Sequence, residues 1–205
     1  MAEALTTIFA ATPIGTPQLV ILVLGFLVLA LTTIRSRRAA RAPDAGNGGR
    51  RSLQSIVGIV VQGIGIGCAG FGGIQPSLAW DAPAALMGAI VTLLFMGAAC
   101  WIFVAAVNAM GKNWSLVART RGDHELVTDG PFALVRHPIY LCLFLMMIGF
   151  AAATGHWGGL IPGIPLFTIG TLMRTSEEER LLRAHFGQAY DDYAARVKRF
   201  VPGLL

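Results

Sequence analysis

The sequence predicts an all-α polytopic membrane protein, with about five transmembrane helices and a C-terminal amphipathic helix on the cytoplasmic side. Three observations predict it. Of the 205 residues, 55% are apolar and only 13% are charged, against about 25% charged in a soluble domain. The apolar residues gather into five stretches, at 18–34, 53–74, 84–110, 139–154 and 157–173. All 16 Lys and Arg residues fall in only three segments between and after those stretches.

Crossing the hydrocarbon core takes about 17–25 apolar residues. The first three stretches are long enough. The last two are short and are separated by Gly155 and His156 alone. They predict a tight helical hairpin over 139–173, with its second helix kinked by Pro162 and Pro165.

The basic residues set the orientation. Arg35, Arg37, Arg38, Arg41, Arg50 and Arg51 follow the first stretch. Lys112, Arg119, Arg121 and Arg136 follow the third, and Arg174, Arg180, Arg183, Arg196, Lys198 and Arg199 follow the fifth. Five crossings put all three segments on one face, which predicts an N-terminus outside and a C-terminus in the cytoplasm. The chain then divides into an N-terminal part, 1–110, and a polar-site part, 111–205.

The net charge of +5 does not point to nucleic acid. Segment 35–52 is rich in Arg, Gly and Ala without interleaved aromatics, which suits a basic loop against anionic membrane lipid. The Arg-, Ala- and Gly-rich composition suggests a high-GC bacterium, and hence an inner membrane. Cys68, Cys100 and Cys142 lie far apart in apolar runs. They read as small buried side chains, and no metal site is expected. Gly65, Gly67 and Gly70 spell G-x-G-x-x-G inside an apolar run. A dinucleotide site needs a strand before that motif, so close helix packing is the better reading, with Gly63 and Gly67 as a GxxxG pair.

After Met173 the chain is polar but helical in pattern. Leu182, Phe186, Tyr190 and Tyr193 make one apolar stripe, Arg174 and Glu178 form an i,i+4 pair, and Pro202 ends the pattern. Residues 113–140 are polar and rich in turn formers, with a sharp turn at Asp129-Gly130-Pro131. Arg136-His137-Pro138 then leads into the fourth helix. Pro138 fits its first turn, and the positive helix end attracts an anion. Alone, this reads as interfacial charge beside a helix start. But a hairpin brings its two cytoplasmic ends together, so Arg136-His137-Pro138 should meet Arg174 and Glu177, Glu178 and Glu179. That predicts a polar pocket opening to the cytoplasm and roofed by the tail, suited to a zwitterionic cofactor.

These residues carry a family resemblance. His124-Glu125-Leu126-Val127, Gly130-Pro131-Phe132, Arg136-His137-Pro138-Ile139-Tyr140, Glu178-Glu179, Phe186-Gly187, Tyr190, Tyr193 and Arg199-Phe200-Val201-Pro202 follow in order. In these motifs residues 113–202 resemble the isoprenylcysteine carboxyl methyltransferase and phospholipid methyltransferase superfamily, whose members are integral-membrane enzymes. Residues 1–110 match it only in hydropathy. The resemblance implies S-adenosyl-L-methionine as cofactor. His124, Glu125, Leu126 and Val127 would line its site, with Phe132 near the adenine or ribose. His137, Pro138, Ile139 and Tyr140 would hold the cofactor at the helix start. Glu178 would bind its ammonium or ribose hydroxyls. Arg174 would face the substrate and orient an anionic acceptor, so that Arg174 and Glu178 are the implied catalytic residues. The family usually has Gly two residues after the motif Tyr. Here Cys142 stands there, which puts cofactor packing at that point in question.

Methyl transfer from a sulfonium needs alignment and desolvation more than a side-chain nucleophile. A carboxylate or thiolate acceptor needs no base; an amine acceptor would be served by His124 or His137. Within this reading the acceptor is lipophilic or small, and a prenylated protein tail would be unusual in a bacterium. Two other readings stand beside it. One is a membrane reductase using NADPH, since some sterol reductases share a similar C-terminal architecture. The other is a non-enzymatic membrane scaffold or channel.

Overall fold

Apolar runs with few helix breakers become helices, and their punctuation sets the ends. In the computed structural model, residues 9–39, 53–111 and 125–203 are described. Arg41, Arg50, Arg51, Lys112, Arg119, Arg121 and His124 therefore lie outside the described residues. The helices are α1 (Thr16–Ala39), α2 (Leu53–Cys68), α3 (Pro83–Met110), α4 (Pro138–Thr154), α5 (Leu160–Phe186) and α6 (Gln188–Arg196). Short 3-10 turns cover Gly130–Ala133 and Trp157–Gly159. No strand longer than an isolated bridge occurs among the described residues.

Several boundaries differ from those the sequence predicts. α1 runs past Ile34 to Ala39, because nothing in Arg-Ser-Arg-Arg-Ala stops a helix. α2 ends at Cys68 rather than Ile74, ahead of the glycines at 70, 72 and 73. The fifth stretch and the tail are one helix. α5 continues through Met173 and the glutamates to Phe186, since that run holds neither Gly nor Pro. The helix also runs unbroken through Pro162, in its first turn, and through Pro165. Gly187, at φ 55°, then breaks the helix, a conformation that costs glycine little. The tail stripe is thereby split. Tyr190 and Tyr193 on α6 are buried, while Leu182 and Phe186 on α5 are only partly so.

α3 packs on α1 and α4. Their shared core holds Leu22, Met96, Ala99, Phe103, Val107, Cys142 and Met146. Cys142 thus belongs to the α3–α4 core. α5 lies antiparallel along α2, while α4 and α5 touch only sparingly along their lengths. Gly58, Gln62 and Gly65 on α2 face Gly163, Phe167, Gly170 and Arg174 on α5. A Cβ on Gly65 would lie 2.6 Å from the Phe167 amide nitrogen, and one on Gly170 2.5 Å from the Gln62 nitrogen. The expected GxxxG pair is not the contact. A Cβ on Gly63 or Gly67 would meet nothing within 4 Å. The i, i+4, i+7 face running through Gly58, Gln62 and Gly65 turns those two glycines outward.

At the end of the bundle opposite the glutamates, Gly155 closes α4 in the left-handed region at φ 77°. The N-terminal segment folds over this turn. The Thr12 amide donates to the Gly155 carbonyl at 2.9 Å, and the Gln18 amide side chain to the Ala152 carbonyl at 3.2 Å. His156 is fully buried beneath Gly72, and burial lowers its pKa, favouring the neutral ring.

Among the described residues, Thr16–Ser36 and Pro83–Met110 are long and apolar enough to cross a membrane. α2 and α4 are apolar but shorter. Leu24, Leu31, Leu94 and Trp101 point outward and are each more than half exposed, a surface that suits lipid.

Candidate functional site

The site is built where α4 begins. Residues 135–137 lie beside the segment at 197–199. Val135 bridges Lys198 in parallel; the Arg136 amide donates to the Lys198 carbonyl at 2.8 Å and the His137 amide to the Arg199 carbonyl at 3.1 Å. Pro138 then opens α4, where its missing N–H costs nothing. Just upstream, the Tyr193 hydroxyl on α6 donates to the Phe132 carbonyl at 2.7 Å. The last turns of α5 face this junction.

Glu179 is the buried centre of it, only 1% exposed. Arg136 donates to its Oε1 at 3.0 Å, and Arg199 to its Oε2 at 2.7 Å. His137 Nε2 lies 3.2 Å from Oε1, and Arg183 stands 3.8 Å away. Burial alone would raise this carboxyl. Hydrogen bonds from His137, Arg199 and Arg136, with the Arg136 charge, overcome that and hold it well below the usual carboxylate range. Arg136 also donates to the Ala194 and Val197 carbonyls. One carboxylate therefore ties α4, α5, α6 and the terminal segment together. Beside it, Tyr190 is buried, and burial followed by the Glu179 charge pushes its phenol up to about 12.

Glu178, one residue away, points to a more open place. It is 22% exposed and accepts a hydrogen bond from the Tyr140 hydroxyl. His137 Nδ1 lies 3.7 Å from it and Arg174 Nη2 3.8 Å. The Arg174 guanidinium rests over the Tyr140 ring at 5.0 Å. Its Nη1 donates to Gln62 Oε1 of α2 at 2.8 Å, and Gln62 Nε2 donates to Thr171 Oγ1 at 2.7 Å. Arg174 Nε is buried without a hydrogen-bond partner among the described residues.

The structure thus brings together His137, Pro138, Tyr140, Arg174 and Glu178. Ile139 sits in the same first turn and is partly buried. Phe132 is anchored to α6. Leu126 and Val127 are partly buried and Glu125 is exposed, on the strand of chain leading to the 3-10 turn. His124 lies outside the described residues. The sequence reading gave two participants no role of their own. Glu179 was visible only as one of three glutamates, and helix phase alone decides which of them turns inward. Gln62 carried a fainter signal, as an amide side chain in the middle of an apolar run.

Fold and site together define an all-helical protein with apolar outward faces and an ion-paired polar site at one end of its helices. Comparison with known proteins gives this class a family. The family model for phospholipid methyltransferases matches residues 87–189, and the chain belongs to that family. It is 34% identical over 101 residues to a protein-S-isoprenylcysteine O-methyltransferase of Schizosaccharomyces pombe, covering 48% of this chain and 42% of that one. It is 34% identical over 96 residues to the nickel-cobalt-cadmium resistance protein NccN of Alcaligenes xylosoxydans xylosoxydans, covering 46% and 45%. A protein-S-isoprenylcysteine O-methyltransferase of Dictyostelium discoideum is 28% identical over 126 residues, covering 55% and 51%. The chain spans about half the length of the curated relatives it matches.

Proposed function

We propose that the chain is an integral-membrane methyltransferase that uses S-adenosyl-L-methionine and acts on a lipophilic or small acceptor. The observation that carries this is the meeting of His137 and Tyr140 with Arg174 and Glu178, from opposite ends of a helical hairpin, beside an apolar surface. When bound, the cofactor supplies an electrophilic methyl group on a sulfonium. The residues present fit it. Glu178 is partly open and has lone pairs left to accept from an ammonium or from ribose hydroxyls. The α4 N-terminus offers a positive helix end. Arg174 Nε offers a buried donor without a partner among the described residues.

In this reading His137, Pro138, Ile139 and Tyr140 hold the cofactor with Glu178, while Glu125, Leu126, Val127 and Phe132 line its outer side, as would His124. Arg174 faces the acceptor. Burial excludes water from the reacting groups, and alignment supplies most of the acceleration. All five long helices, α1 to α5, cross the bilayer, with the N-terminus outside and the C-terminus cytoplasmic. A reporter fused after Leu205 should therefore be active only in its cytoplasmic form.

Titration calorimetry of the detergent-purified protein tests the cofactor. S-adenosylhomocysteine should bind and NADPH should not. Binding of NADPH alone would turn the reading to a reductase, and binding of neither to a scaffold. Glu178→Ala and His137→Ala should each weaken S-adenosylhomocysteine about tenfold or more, as loss of a hydrogen bond to a charged group does. Unchanged affinity in both variants would remove the cofactor assignment from this site.

A further inference from the structure

We infer that Gln62, on α2, is a positioning residue for the acceptor side of the site: it holds Arg174 without neutralising it, so that the guanidinium stays available to an anionic acceptor. The inference rests on the methyltransferase reading. Gln62 lies outside residues 87–189 that match the family model.

The geometry is specific. Gln62 is 3% exposed within the apolar run 56–68 of α2, where an unsatisfied amide would be costly. Both ends of its side chain are engaged, its oxygen by Arg174 Nη1 at 2.8 Å and its nitrogen by Thr171 Oγ1 at 2.7 Å. The glycines around it make this reach possible. Gly58 and Gly170 let the α2 and α5 backbones approach closely on either side of Gln62, and the Gln54 side chain ties α2 to the Met173 carbonyl at 3.1 Å.

The other contacts of Arg174 complete the case. The Tyr140 ring fixes one face of the guanidinium. Among the described residues its one carboxylate neighbour is Glu178, at 3.8 Å, and that carboxylate already accepts from Tyr140. The near partner, Gln62, is neutral. Arg174 Nε remains a buried donor with nothing to donate to among the described residues. A cation held rigidly, with one donor spare, suits an acceptor whose reacting atom carries negative charge, a carboxylate oxygen or a thiolate sulfur. The new bond then forms between that atom and the methyl carbon. The carbon–sulfur bond to the methyl breaks and its electron pair goes to sulfur, so no base is required.

The test uses the full-length protein with labelled S-adenosylmethionine and three probes: N-acetyl-S-farnesylcysteine as carboxylate, a long-chain alkyl thiol, and phosphatidylethanolamine vesicles as amine. Wild type is expected to methylate the carboxylate or the thiol. Gln62→Glu keeps the shape and the Arg174 contact, with the Thr171 hydroxyl turning to donate, but adds a charge. It should raise KM for the anionic probe about tenfold while leaving S-adenosylhomocysteine affinity unchanged. Gln62→Leu should lower kcat/KM similarly, and adding it to Arg174→Lys should cost little more, whereas independent effects would add. S-adenosylhomocysteine binding reports folding in each variant. An active wild type whose anionic-probe KM is unmoved by Gln62→Glu, or additive losses in the double variant, would overturn the role of Gln62. A wild type that prefers the amine would overturn the anionic acceptor. A wild type that binds S-adenosylhomocysteine with no transfer to any probe would also overturn it, and failure to bind would remove the methyltransferase reading itself.

Discussion

Glu179→Ala is expected to destabilise the protein by about 3–5 kcal/mol, the usual cost of removing one partner from a buried ion pair. The substitution leaves Arg136, His137 and Arg199 facing a gap, with Arg136 only 10% exposed. Three charged or polar groups lose one common acceptor, and the terminal segment loses the Arg199 contact that helps pin it beside α4. The measurement is the thermal midpoint in detergent, together with protease sensitivity after Arg196. An unchanged midpoint would show that Glu179 is not the fastening group. A pH experiment gives the same group an independent test. The folded carboxyl is held well below the usual range, so its contribution is full above the unfolded value of about 4.3 and is lost as pH falls towards the folded value. The midpoint of the wild type should therefore drop on acidification below about pH 4. Glu179→Gln should already be destabilised at neutral pH and should lose less on acidification.

The second large effect is expected at the α2–α5 contact. Gly65→Leu and Gly170→Leu should each cost about 3 kcal/mol or more, the upper range of overpacking. In both, the new side chain meets backbone of the facing helix, which cannot rotate away. Gly63→Leu, on the open face of the same helix, should be neutral or slightly stabilising through helix propensity. The three thermal midpoints compared in one detergent decide the matter. Equal losses at Gly63 and Gly65 would mean that the packing face is wrongly assigned. Gly170→Leu should also displace Gln62 and so impair acceptor use, since Gly170 lies against Gln62.

Much of this was legible from residues alone because it depended on local chemistry. Pro138 and Gly155 marked the ends of α4, since one lacks a backbone N–H and the other tolerates positive φ. The apolar runs marked α1 to α4. The order of motifs from His124 to Pro202 identified the family. The reading went astray in two places. The break expected after Met173 does not exist, because polarity changes there while helix propensity does not. Gly63 and Gly67 looked like a packing pair by spacing. Spacing cannot say which face of α2 meets α5, and that face runs through Gly58, Gln62 and Gly65 instead.

The same division holds for the site. Sequence by itself determined that basic and acidic groups bracket a helical hairpin, because covalent order and a short turn leave their ends few other places to go. Only the tertiary structure decided which glutamate is buried and which is open, since Glu178 and Glu179 differ by one residue, about 100° around α5. It also decided that the C-terminal segment lies against α4 and that Gln62 reaches in from α2. These are contacts between residues distant in sequence, fixed by packing and desolvation rather than by any local pattern.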